Sequence, residues 1–164
     1  MGAAYLVNAK LKIKDPVKFV NDSKDCLLGE DCWDKEYENA IENLRTVEDV
    51  MAFLLAAKQN TARYVVQQDG YVMYTSAFDA SYGWEGILDG WFNDIVDDLD
   101  DGSYLLVDGD EQAWENVVRN GKIKCRPDRS RIAYKDRTPF ENFYLDEYDA
   151  GHGKKTPKVD IRKL

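Results

Sequence analysis

Apolar and polar positions alternate near the start of the chain. Tyr5, Val7, Ala9, Leu11 and Ile13 are interleaved with Asn8, Lys10, Lys12 and Lys14, and a period of two lines one face of a β-strand with apolar side chains. At Asp15 the pattern changes. Asp15 followed by Pro16 offers an N-cap and a first-turn proline, predicting a short helix that carries Val17 and Val20 and fades near Asp22 and Ser23. After a polar, glycine-containing stretch, Tyr37, Ala40, Ile41 and Leu44 fall at helical spacing and predict a second short helix. Thr46 with Asp49 three residues later approximates a capping box, and Val47, Val50, Met51, Leu54 and Leu55 form the stripe of a third helix.

Two β-rich runs follow, 63–68 and 71–77, separated by Asp69-Gly70. That pair accepts the positive φ angles of a type I′ turn, so a hairpin is predicted. Trp84, Ile87, Leu88, Trp91, Phe92, Ile95 and Leu99 then recur every three or four residues, with Glu85, Asp89, Asp97 and Asp98 on the other side. This is an amphipathic helix, ended by Asp101-Gly102. A strand over 104–107 and a second hairpin, 114–118 with 122–125 around Asn120-Gly121, complete the pattern. In order, the strong elements run strand, helix, hairpin, helix, strand, with one hairpin appended. That is the order of an α+β, ferredoxin-like (split βαβ) sandwich with a helical insertion (15–45) after strand 1, an additional C-terminal hairpin and an irregular tail.

Length and composition set the scale. The 164 residues suit one α+β domain over 1–150, followed by a basic tail over 151–164. Ten Tyr, six Phe and four Trp supply core material that a disordered chain lacks. No apolar run approaches the roughly 20 residues needed to cross a bilayer, and no secretory leader pattern is visible, so a cytoplasmic protein without a membrane contact is expected. Cys26, Cys32 and Cys125 form an odd set that cannot pair fully, and the gap between the first two is wide for zinc. Reduced thiols are the simpler reading.

The net charge of -9 conceals an asymmetry: residues 1–118 hold nine basic against 24 acidic side chains, and residues 119–164 hold 13 against seven. An acidic body repels a phosphate backbone, which disfavours direct nucleic-acid binding. The run 71–77 has aromatics but no Lys or Arg, and it lacks the signature of an RNA-stacking strand.

Little in the chain points to a reaction. The sole histidine, His152, lies in a glycine-flanked tail, and neither a Gly-x-Ser-x-Gly elbow nor a phosphate-cradling glycine loop occurs. Carboxylates are abundant. Asp97, Asp98, Asp100, Asp101, Asp108, Asp110 and Glu111 offer oxygen ligands, but as a calcium loop starting at Asp97 they put Leu99 at position three and Asp108 where Glu belongs. Trp84, Trp91 and Phe92 have the spacing of a helix seated on a sheet. Trp33 stands outside any apolar stripe, as an interface anchor or a covered ring.

The expectation is a non-catalytic, cofactor-free interaction or regulatory module whose acidic face docks on a basic protein surface. Its contact residues would be Glu85, Asp89, Asp97, Asp98, Asp100, Asp101, Asp108, Asp110 and Glu111, with Trp33 as anchor. Nucleic-acid mimicry, inhibiting a nucleic-acid-processing protein, is the sharpest form of that reading. The alternative is a divalent-metal phosphoesterase using Asp97, Asp101, Asp108 and Asp110. A structural subunit that self-associates through an exposed sheet is a third possibility.

Overall fold

In the computed structural model, which describes residues 2–56, 63–68, 70–81, 83–108 and 113–127, the alternating row that opens the chain becomes an interior strand of a sheet. This strand, β1 (Gly2–Leu11), pairs along its whole length with β3 (Tyr71–Ser81), from Gly2 opposite Ser81 to Leu11 opposite Val72. Its other edge takes β4 (Tyr104–Asp108). β2 (Arg63–Gln68) adds outside β3, and β5 (Ala113–Arg119) and β6 (Lys122–Pro127) add outside β4. The order is β2-β3-β1-β4-β5-β6, and every neighbouring pair is antiparallel. With its helices, the molecule is an α+β fold.

Four helices share one core with the sheet: α1 (Pro16–Leu28), α2 (Lys35–Glu42), α3 (Val47–Ala56) and α4 (Trp84–Asp94). The row Tyr5, Val7, Ala9 and Leu11 meets them, joined by Tyr74 and Phe78 of β3, Leu105 and Val107 of β4, and Trp114 and Val118 of β5. Trp84, Leu88, Trp91 and Phe92 of α4 are buried there, as their spacing predicts.

Local chemistry sets the element ends. Asp15 caps α1, its carboxylate accepting the Val17 and Lys18 amides at 3.0 and 3.3 Å. The helix runs past the predicted fade near Ser23 because Ser23 itself belongs to the buried stripe with Phe19, Val20 and Leu27. Its hydroxyl accepts the Trp91 indole N–H at 2.9 Å, which satisfies both polar groups inside the core. At α3 the capping box forms reciprocally. Asp49 N–H donates to the Thr46 hydroxyl and Thr46 N–H donates to the Asp49 carboxylate, both at 3.1 Å.

α4 ends at Asp94, short of the predicted stop at Asp101-Gly102. The chain tightens into a 3-10 turn at Val96–Asp98, and Leu99 turns extended to bridge Ile13. Backbone bonds hold this exit to the end of β1: Lys14 N–H donates to Asp98 C=O at 3.0 Å, and Asp100 N–H to Lys12 C=O at 2.9 Å. Tertiary pairing here overrides helical periodicity. Between β5 and β6, Asn120 and Gly121 take φ values of 52° and 72°, as a type I′ turn requires.

The sheet also has buried apolar side chains on the face away from the helices. Met73, Tyr104, Leu106 and Val117 are buried there, in rows set by strand register. No helix among the described residues is long and apolar enough to cross a membrane. The expectations for the 151–164 tail lie outside the described residues.

Candidate docking surface

α1 packs lengthwise against α4. Lys18, Asp22 and Cys26 recur at intervals of four, the spacing that stacks side chains on one helix face, and Glu30 follows just past the helix end. Lys18, Cys26 and Glu30 meet partners that step backwards along α4 and its exit, and Asp22 pairs with Lys18. Lys18 Nζ lies 2.6 Å from Asp98 and 2.7 Å from Asp22, the Cys26 thiol bonds to Asp94, and Glu30 approaches Gly90. The result is a seam of carboxylates along the α1–α4 groove, with Lys18 at one end.

The seam perturbs its own groups. Asp98 is 2% exposed, and burial pushes its carboxyl above the usual range, with Lys18 pulling against that and Asp22 adding to it. Asp22 is lowered, chiefly by its hydrogen bond from Lys18. The Lys18 ammonium is held above its ordinary value by its hydrogen bonds to Asp22 and Asp98, which favours the charged form. Burial, with help from Asp94, pushes the Cys26 thiol up to about 12, which disfavours the thiolate form.

The acids singled out by sequence go to several places. Asp89, Asp97 and Asp101 are exposed on α4 and its exit, with Asp100 half-buried beside them. Asp89 also accepts Asn116 Nδ2 at 2.7 Å, tying α4 to β5. Glu85 accepts the Tyr5 hydroxyl at 2.5 Å and so joins α4 to β1. Asp98 points inward to Lys18. Asp108 sits, by register with Leu106, on the sheet face opposite the helices. Asp110 and Glu111 lie outside the described residues. Among the described residues no three His, Cys, Asp or Glu side chains gather closely enough to hold a metal ion.

Trp33 closes one end of the helical layer. Its indole N–H donates to Leu27 C=O at 2.6 Å, and its ring lies 5.3, 5.6 and 5.9 Å from those of Tyr37, Phe53 and Trp84. The cluster joins the α1–α2 loop to α2, α3 and α4, so this ring is half-buried packing.

Acids at 22–42 were not among those singled out, because periodicity assigns faces within an element and not which elements meet. In the fold they join the same layer as α4. Over 15–56 and 83–101 the helical layer holds 18 acidic side chains against four basic ones. Asp25, Asp31, Asp34, Glu36, Glu38 and Glu42 are exposed with Asp89, Asp94, Asp97 and Asp101. The signal that was available is compositional: no Lys or Arg occurs between Arg63 and Arg119. The basic residues sit elsewhere, with Arg119, Lys122 and Lys124 exposed on β5 and β6. Comparison with protein-family models, with curated proteins and with solved structures finds no match for this chain.

Proposed function

We propose that the chain is a non-catalytic docking module whose acidic helical layer binds a basic surface on another protein. One observation carries this reading: 18 acidic against four basic side chains are gathered on one layer. Such a layer has a strong negative potential that steers positively charged partners toward it. In the sharpest form the partner's groove is one that holds phosphates, and the chain inhibits by occupying it. The fold reads as ferredoxin-like: the order β2-β3-β1-β4 supports this, since each long crossover skips a strand that fills the gap. Cys26, Cys32 and Cys125 are free, which suits the cytoplasm.

The reading is tested by titrating labelled chain with polylysine and with DNA-binding proteins across a salt series. Affinity is expected to fall about tenfold or more between low and physiological salt. The triple reversal Asp89→Lys, Asp97→Lys, Asp101→Lys should weaken binding further, and duplex DNA should compete for the partner. Binding that ignores both salt and charge reversal would remove the basis for this function.

A further inference from the structure

Five basic side chains gather at one end of the sheet, on the side away from the helices. Lys10 of β1 stands opposite Tyr104 of β4, Tyr104 opposite Val117 of β5, and Val117 opposite Lys124 of β6. Residues opposed in this way share a face, so Lys124 projects on the same side as Lys10. Two residues further toward the sheet end the row repeats: Lys12 follows Lys10, Arg119 follows Val117, and Lys122 lies opposite Arg119. Arg119, Lys122 and Lys124 are exposed, and Lys10 and Lys12 are half-buried. Among the described residues none of the five forms an ion pair. The second row has no side chain at its centre. Gly102 N–H donates to Val118 C=O and Asp100 N–H to Lys12 C=O, both at 2.9 Å, which sets the glycine between Lys12 and Arg119. Gly102 has φ 90°, and a Cβ there would fall 2.8 Å from the Tyr71 hydroxyl and 3.7 Å from Arg119 Nη1. The Tyr71 hydroxyl donates to Asp101 C=O at 2.7 Å, and the Lys10 and Lys12 ammoniums lie 4.4 and 5.7 Å from the centre of its ring. A ring holds two cations near each other without neutralising them, so their repulsion is left for an anion to relieve.

We propose that this end of the sheet binds a ligand that carries phosphates in a row. The class follows from side-chain type and from extent. Arginine offers phosphate a planar fork of donors and lysine a point charge. The five cations run from β1 across β4 and β5 to β6, about 14 Å at the usual strand spacing, which is more than a single phosphate group covers. Asp100 and Asp101 flank the glycine, but two acids against five cations leave the patch positive. The acids of the helical layer lie across the sheet, and exposed charges more than about 8 Å apart are largely screened at physiological salt. The sign of the whole chain therefore does not decide what this face binds. Reading the run 71–77 alone conceals the site, because the cations that surround Tyr71 come from the ends of β1, β5 and β6.

The test titrates the isotope-labelled full chain at physiological salt with sodium tripolyphosphate and, separately, with a single-stranded thymidine octanucleotide, following backbone amide shifts by NMR. Saturable shifts at Lys10, Lys12, Gly102 and Arg119 are expected in at least one titration. Saturation by the octanucleotide identifies a nucleic-acid strand as the source of the phosphates, and saturation by tripolyphosphate alone identifies a small phosphorylated ligand. Lys10→Gln and Arg119→Gln should each weaken the binding about tenfold, as loss of a charged hydrogen-bond donor does, with helical circular dichroism unchanged. Lys12→Gln takes the place of either variant that loses the helical signal. Lys35→Gln, at an exposed position on α2, should leave the affinity as it is. No saturation by either probe, saturable shifts confined to the helices, or an equal loss from Lys35→Gln overturns the proposal. None of these outcomes depends on whether the helical layer binds a basic partner.

Discussion

Asp98 is one of seven acids between positions 97 and 111, and its carboxylate is folded against Lys18 in the helical layer. Its folded pKa lies above the ordinary aspartate value because burial disfavours the charge. The folded chain therefore holds that proton more tightly than the unfolded chain. Stability from this group is present below the ordinary aspartate value and is lost as pH rises through the folded pKa. Asp22, lowered by Lys18, has the opposite dependence: its contribution is present above the ordinary value and is lost as pH falls through its folded pKa. The variant Asp98→Asn keeps an oxygen for Lys18 and removes the charge. It is expected to match or exceed the wild type in urea midpoint at pH 8, with the gap closing as the pH approaches the ordinary aspartate range. A wild type that leads at pH 8 would show that the ionised carboxylate is the favoured form. No run of aspartates in a sequence reveals which member turns inward, because that depends on where Lys18 arrives from a separate helix.

At the scale of elements, turns and caps were legible and ends were not. The Thr46 and Asp49 pair, the Asp15-Pro16 start and the Asn120-Gly121 turn are local chemistry, and each appears at its predicted place. Removing the cap with Thr46→Ala should cost about 1 kcal/mol, read as a lower urea midpoint with an unchanged slope. The ends of α1 and α4 were harder to read because distant residues decide them. Ser23 breaks the apolar stripe of α1 in sequence but completes it in space, through Trp91, which lies 68 residues away. Leu99 continues the stripe of α4 in sequence, but its backbone is drawn into an extended bridge with Ile13. The strand order of β2-β3-β1-β4 follows from element order together with short hairpins, and so was open to inference. The burial of the far sheet face was not, although the unbroken apolar run 104–107 already carried that information.

Across the whole molecule, charge is sorted by layer. Acids gathered on the helices repel one another, and few basic side chains among the described residues of that layer relieve them. Moderate salt should therefore stabilise the fold, with the melting temperature rising between low and physiological sodium chloride. A flat or falling curve would mean that the layer is already neutralised. Of the nominated contact residues, Asp89, Asp97 and Asp101 share the exposed side of this layer, whereas Asp108 is separated from them by the sheet. A linear charge count places all four in one acidic half, since it has no knowledge of strand parity. Basic residues, in turn, mark the rim of the sheet. Along β6, Lys122 and Lys124 project on one side while Pro127 ends the strand with no N–H to offer. Among the described residues β6 is the last strand on this side, and a copy approaching that edge would bring lysine toward lysine, which disfavours strand-upon-strand growth there.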